Sequence, residues 1–315
     1  MIRWGHFGEA KGVDPAPVVR NTGITVRDFL GGMSAQICQS QVDPLEAMMP
    51  NHEMSQASFP EMYERWLAGP LFRPWAEMIL EEVALSSGDR VLDIACGTGI
   101  VARVARERLG DAGYVVGIDI SSDMLAVARA VAPGIDWRQG NASALPLHDG
   151  EQFDVVVCQQ GLQFFPDKPA AATQMRRALA KGGRLAVATW RSDDETPFFR
   201  ELRRVAERHL GAIKDPRYSF GDAVPIEALL RDAGFHEVRV TTISRTIRFQ
   251  DGAPFLRLNT MAFVGMSAVG REMGDQERKR VVEAIVSESA PALHPYADGA
   301  GLAFELSTNL ATAEG

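Results

Sequence analysis

Between Arg90 and Trp190, short apolar runs alternate with longer amphipathic stretches, and this alternation restricts the fold more than any other feature of the chain. "RVLDIA", "YVVGIDI", "QFDVVVCQQ" and "RLAVATW" have the length and β-branched content of strands, and "IDWRQG" reads as a shorter one. "GIVARVARERLG", "SSDMLAVARAVA" and "KPAAATQMRRALAKGG" lie between them with helical period; in the first, Val101, Val104, Ala105 and Leu109 share one face. Such alternation predicts an α/β chain with a mostly parallel sheet covered by helices on both sides.

The flanking segments have a different beat. "FPEMYERWLAGPLFRPWAEMILEEVAL" spaces Tyr63, Trp66 and Leu67, then Trp75, Ile79 and Val83, as two aromatic-rich helices separated at Gly69–Pro70. Beyond Trp190, "TPFFRELRRVAERHLG" reads as a helix, and "PIEALLRDAGFHEVRVTTISRTIRF" as a helix followed by a strand or strand pair. Residues 252–293 hold two or three helices suited to a lid over a substrate, and "AFELSTNLATAEG" closes the chain as an edge or antiparallel strand. The expected organisation is an irregular extension over 1–57, with a short helix at "TVRDFLGG" or "DPLEAMM", then a core over 58–191. The remainder of the sheet follows over 192–315, with its helical cap at about 252–293.

Acidic residues outnumber basic ones by 41 to 33, for a net charge of -8, so the chain offers no basic footprint for nucleic acid or an anionic membrane. No apolar stretch reaches the length of a membrane span, and "MIRWGHFGEAKG" lacks the apolar run of a secretory signal; a cytoplasmic protein is expected. Cys38, Cys96 and Cys158 are too widely spaced for a disulfide scaffold or zinc cluster, and the six histidines form no HxxxH or HxH pair, so no metal is expected.

The chemistry concentrates at "VLDIACGTGI". Gly97, Gly99 and Ala102 fit the GxGxxG/A turn of a dinucleotide site, and Asp119, about 20 residues on, fits its ribose carboxylate. That spacing does not separate a dinucleotide from other adenosine cofactors. A phosphate-gripping P-loop is excluded, because no Gly-Lys-Ser/Thr follows. Asp93, at the strand end four residues before Gly97, favours a ligand without phosphates: a carboxylate there repels a pyrophosphate and attracts a cationic amino group. Adenosine at one end and positive charge at the other describe S-adenosylmethionine. Asp93 as a plain cap for the helix near Gly99 is the less favoured alternative; Asp119 has the same alternative at the helix starting by Ser121.

From Tyr63 to Arg191 the chain resembles the class I S-adenosylmethionine-dependent methyltransferases, in particular the branch that makes ubiquinone and menaquinone. The resemblance rests on "VLDIACGTG", "GIDIS", "GNASALPL" and "CQQGLQFFPD". It implies a Rossmann-like seven-stranded, mostly parallel sheet with helical N- and C-terminal insertions forming a substrate cap. It implies S-adenosylmethionine as cofactor and S-adenosylhomocysteine as product. By the same resemblance Asp93, Ala95, Gly97, Thr98 and Gly99 would wrap the methionine part, and Tyr63 would lie against it. Asp119 would meet the ribose, Ile120 beside it would touch the cofactor, Met124 would pack on adenine, and Asn141 and Ala142 would meet its edge, where the family usually has Asp-Ala. Gln159 and Gln160 would lie under the methyl donor. Met124 and Tyr63 have core packing as their alternative.

Gln163 is expected to face the acceptor, with Phe164 in the core and Phe165 shaping the pocket. His294 in the cap and His52 before the aromatic helix are the candidates for a general base; His148, His209 and His236 have no evident mate. Methyl transfer from a sulfonium needs alignment more than proton chemistry, so the absence of a catalytic dyad does not argue against an enzyme. Phe59, Tyr63, Trp66, Phe72, Phe198, Phe199, Phe255 and Phe263, with Met261 and Met266, predict a mostly apolar small-molecule acceptor, methylated on O, N or C. The alternatives are a donor-binding member turned to cyclisation or a structural role, and, least favoured, an NAD-dependent oxidoreductase. The first fifty residues are compatible with exchange between the subunits of a homodimer.

Overall fold

A computed structural model describes residues 58–110 and 113–315. The residues preceding 58, with the two short-helix expectations and His52, lie outside the described residues. The strands are β1 (Arg90–Ile94), β2 (Tyr114–Asp119), β3 (Asp136–Gln139), β4 (Phe153–Gln159), β5 (Leu179–Trp190), β6 (His236–Phe249), the two-residue β7 (Ala297–Asp298) and β8 (Gly301–Glu314). Seven of them form one path in the order β3-β2-β1-β4-β5-β8-β6, and β7 pairs with β8 alone. β3, β2, β1, β4 and β5 are mutually parallel, and β8 runs antiparallel to both β5 and β6. This is the Rossmann-like, mostly parallel sheet expected.

The strands read as continuous apolar runs because both faces are covered. Val91, Val115, Val155, Val157, Ala186 and Ala188 point into one core. Their alternates Leu92, Val116, Val156, Cys158, Leu185 and Val187 point into the other. The first core is closed by α2 (Arg73–Glu82), α3 (Ile100–Leu109), α4 (Ser122–Val131) and α6 (Pro197–Leu210), and the second by α5 (Lys168–Ala178) and α7 (Ala223–Asp232). Side chains cap the helices where the sequence supplies them: Ser121 Oγ accepts from Met124 N–H at 3.2 Å, and Asp167 from Ala170 N–H at 2.9 Å.

Three expectations need correction. Gly69–Pro70 does not break the aromatic stretch into separate helices. After α1 (Phe59–Tyr63) the chain continues as a π-helical segment, Glu64–Phe72, directly into α2. A proline in α register loses a hydrogen bond and collides with the carbonyl four residues back; the wider i→i+5 turn relieves this, and Arg73 N–H reaches Ala68 O. The closing segment is antiparallel but not an edge: β8 lies between β5 and β6, and β6, a single 14-residue strand, is the edge. Finally, Phe198, Phe199, Phe255 and Phe263 are buried in the first core, which covers one face of the sheet. Phe198 stacks on Phe304 with ring centroids 4.2 Å apart, and Phe249 on Phe255 at 4.1 Å.

β5 pairs with β8 only from Thr308 onward, whereas β6 follows β8 back to Leu302. The β6–β8 pair therefore projects past the carboxyl end of β5 by six residues, about 20 Å of strand. α8 (Gly252–Met266), α9 (Ala268–Glu272) and α10 (Asp275–Leu293) build the cap around that projection, with Arg257 and Glu283 paired at 2.9 Å between α8 and α10. No helix among the described residues is long and apolar enough to cross a membrane.

Candidate functional site

The strand order reverses between β1 and β4, and in open α/β sheets ligands enter the crevice at that point, beyond the carboxyl ends of the strands. The backbone there is strained on both sides. Ala95, just after β1, has φ +58°, and Gln160, just after β4, has φ +55°, left-handed values that cost a residue with a Cβ free energy. The two turns touch: a Cβ added to Gly161 would come within 2.5 Å of Ala95 Cβ. Gly99, at φ +86°, has a second reason to be glycine. An added methyl would enter the indole of Trp137, which stands opposite Gly117 in the β2–β3 ladder and donates from Nε1 to Ala132 O at 2.9 Å.

Asp93 is buried at the end of β1, and its two oxygens divide. Oδ2 accepts from Ala102 N–H at 3.1 Å, so the capping alternative is realised by one atom. Oδ1 is buried without a partner. Burial pushes this carboxyl up to about 8, opposed by the Ala102 N–H and reinforced by Asp119. Asp119, at the end of β2, accepts from Gly97 N–H and from Ser121 N–H, each at 2.8 Å, and thereby ties the glycine loop to the start of α4. Its pKa is raised by burial, opposed by those N–H groups.

On the other side of the switch point, Gln159 donates from Nε2 to Phe72 O at 3.2 Å and Gln160 from Nε2 to Thr308 Oγ1 at 3.0 Å. Both leave their amide oxygens buried and unbonded. Asp93 Oδ1 and these two carbonyls are three buried polar atoms without partners at the carboxyl ends of β1 and β4, and Asp93 becomes a full acceptor once its proton leaves. A cationic, hydrogen-bond-donating group answers that deficit, whereas a phosphate deepens it. Tyr63 lies close enough that Asp119, Glu64 and Asp93 add to burial in raising its pKa. It stacks on Phe72 at 5.0 Å, and the π segment that follows it is held to α3 by Glu64 and Arg103 at 2.8 Å.

A family profile described as a methyltransferase domain matches residues 91–183. A 2-phytyl-1,4-naphtoquinone methyltransferase from Thermosynechococcus vestitus is 31% identical over 186 residues, 54% of this chain and 82% of that protein. The chain belongs to the class I S-adenosylmethionine-dependent methyltransferases. A protein of the same name from Synechococcus elongatus is 36% identical over 146 residues, 44% of this chain and 60% of the relative. The ubiquinone/menaquinone biosynthesis C-methyltransferase UbiE of Xanthomonas campestris is 40% identical over 123 residues, 37% of this chain and 48% of the relative. The chain thus spans about half to three-fifths of the length of these last two relatives. The methyl donor of this superfamily, S-adenosylmethionine, is the cofactor that the three unbonded acceptors fit.

In this member of the family the remaining expected residues fall in two groups. Ile120 is 56% exposed beside Asp119, and Met124 is half-buried on the first turn of α4, whose core face is Leu125 and Ala128. Thr98 is buried with its hydroxyl unbonded, and Ala142 is buried beside the exposed Asn141. Asn141 spends an oxygen lone pair on Ser143 N–H at 2.9 Å. The second group is the histidines. His294 is exposed on the turn between α10 and β7. His148 and His236 are exposed, and His209 stands 3.0 Å from Glu288.

One neighbour of Gln163 departs from its expected place: Phe164 is 50% exposed rather than in the core, while Phe165 is half-buried, because a 3-10 turn over Leu162–Phe164 sets residues three apart, Leu162 and Phe165, on one side. Gln163 itself is 3% exposed with neither amide atom bonded. Nothing local in the sequence marks Trp137 or Thr308. A tryptophan facing two glycines becomes visible only once β2 and β3 are paired, and Thr308 lies 148 residues from Gln160. The Cys96 thiol is pushed well above its usual range by burial, and that of Cys158 up to about 12, which removes both as nucleophiles.

Proposed function

We propose that the chain transfers a methyl group from S-adenosylmethionine to an O, N or C nucleophile of a mostly apolar small molecule, with S-adenosylhomocysteine as product. The observation that carries this reading is the set of buried acceptors at the switch point, Asp93 Oδ1, Gln159 Oε1 and Gln160 Oε1. They receive the amino end of the donor. Asp119 retains lone pairs for the two ribose hydroxyls while its N–H bonds hold the loop. Ile120 and Met124 cover the adenine, Asn141 and Ala142 meet its edge, and Tyr63 closes over the methionine part.

The cofactor, when bound, supplies an electrophilic methyl on a good leaving group. The protein's role is alignment and exclusion of water. The π segment lies against both β6 and α8, so the helix that closes over the donor also adjoins the cap that would enclose the acceptor. Tyr63, Trp66, Phe72 and Met261, half-buried and packed at the margin of the core, supply the apolar lining. No general base is assigned, and none is required where the nucleophile is an amine or an activated carbon. Calorimetric titration with S-adenosylmethionine, S-adenosylhomocysteine and NAD tests the reading: micromolar binding of the first two and silence from NAD is expected. Binding of NAD alone would return the chain to the oxidoreductases.

A further inference from the structure

The segment that crosses the carboxyl end of β5 is pinned there from several sides. Gly221 lies so close to β5 that an added Cβ would stand 3.0 Å from Trp190 O and 2.9 Å from Ser192 N, and Asn309 Nδ2 donates to Gly221 O at 2.6 Å. Upstream, Asp215, Arg217 and Asn259 form a closed brace. Arg217 donates from Nε and Nη2 to Asp215 at 2.9 and 2.6 Å, and from Nη1 to Asn259 Oδ1 at 2.8 Å. Asn259 in turn donates to Phe255 O at 3.0 Å. A second pair, Arg203 and Asp193 at 2.8 Å, stands nearby, so the charges of the two pairs balance. The brace leaves Tyr218 little freedom: its ring lies 5.6 Å from the Arg217 guanidinium and 5.9 Å from the Phe199 ring.

Tyr218 and Gln163 are brought together by their backbones. The 3-10 turn Pro216–Tyr218 packs against the turn Leu162–Phe164, and Ser219 Oγ stands between Pro216 O at 2.9 Å and Gln163 O at 3.3 Å, with one proton for the two carbonyls. Lys168 Nζ holds the Gln163 carbonyl at 3.2 Å. The Gln163 side chain is left with two unbonded amide atoms away from water, which is costly in a ligand-free protein and is answered by a ligand. The Tyr218 hydroxyl has no hydrogen bond among the described residues. Burial raises its pKa, opposed by Arg217 and reinforced by Asp215 and Asp193, so it stays a neutral donor. Both lie at the carboxyl ends of β4 and β5, beside the crevice where the donor is placed.

We infer that Gln163 and Tyr218 form the polar wall of the acceptor chamber, the amide and the phenol together binding a neutral oxygen function, hydroxyl or carbonyl, of the acceptor. This rests on the methyl-transfer reading and adds an acceptor-contacting residue, Tyr218, outside the matched methyltransferase domain. A neutral oxygen suits the wall because the cations beside it are already engaged: both arms of Arg217 are held by Asp215 and Asn259, and the Lys168 ammonium is held by the carbonyls of Gln163 and Phe165. The amide offers donors and an acceptor and the phenol a donor, a set that suits an uncharged oxygen.

The test uses the full chain saturated with S-adenosylhomocysteine and two probes of like shape, 2-naphthol and 2-methylnaphthalene, titrated by NMR. The wild type should bind 2-naphthol about fivefold more tightly, the range of one or two neutral hydrogen bonds. Tyr218→Phe and Gln163→Met should each erase most of that preference, while affinity for 2-methylnaphthalene and for S-adenosylhomocysteine stays within about twofold, the spread left when no bond is lost. Equal affinity for the two probes, binding of neither, or a preference that survives both substitutions overturns the inference. Failure of S-adenosylhomocysteine itself to bind overturns the methyl-transfer reading instead, and is scored separately in the same titration.

Discussion

Asp93→Asn should make the ligand-free protein more stable near neutral pH and the donor bind less well. Burial moves the carboxyl from 3.8 to about 8, because Oδ1 has no partner and Oδ2 has one N–H. The folded protein therefore keeps this proton between those values while the unfolded chain releases it. Fewer protons are bound in the unfolded state, so stability falls as pH rises from about 4 to about 8 and levels off above. At about 1.4 kcal/mol for each unit, keeping Asp93 in the ligand-free fold at pH 8 costs on the order of 5 kcal/mol. Asparagine retains an amide oxygen for Ala102 N–H and has nothing to ionise. Thermal melts of both proteins without ligand, from pH 5 to 8, should show the variant gaining several degrees over the wild type as pH rises. The donor's ammonium, by contrast, needs the charge: losing one charge-assisted hydrogen bond weakens binding by about tenfold to a hundredfold. Binding to the wild type at pH 7 should also release a proton, seen as a buffer-dependent heat in calorimetry, and the variant should release none. Parallel melting curves across the pH range would refute the argument, because they would mean that Asp93 is not held neutral by burial.

Asp119→Ala should weaken donor binding and also lower the melting temperature, since Gly97 N–H and Ser121 N–H lose their acceptor; about 1–3 kcal/mol of stability is expected in denaturant titration. A loss of affinity with unchanged stability would mean that the loop holds itself. Gly99→Ala should cost about 2–4 kcal/mol, from a left-handed backbone and a clash with a fixed indole, and Trp137→Phe should relieve some of it in a double-mutant cycle. Additive losses would place the strain elsewhere.

The sheet and the glycine loop were legible because their signals are local. A parallel strand buried on both faces is written as an unbroken apolar run, a left-handed turn is written as glycine, and an acid at a strand end stays at the strand end wherever the strand is placed. Asp93, Gly97, Gly99 and Asp119 could therefore be read together. The same reasoning faltered at Gly69–Pro70, where local breaker rules assume α register, and at Phe164, where the turn type decides which ring is inside.

Sequence alone settled the class of fold and marked the glycine loop with its two flanking acids, since both are written in local runs of the chain. Only the tertiary structure decided the rest. It split Asp93 into a capping oxygen and a free one, made Trp137 the reason for Gly99, and turned Phe198 and Phe255 into core. It also set Tyr218 beside Gln163, 55 positions away, through a serine hydroxyl on a backbone carbonyl. Burial and partnering are properties of what packs from elsewhere in the chain, and no spacing along the sequence encodes which distant group will arrive.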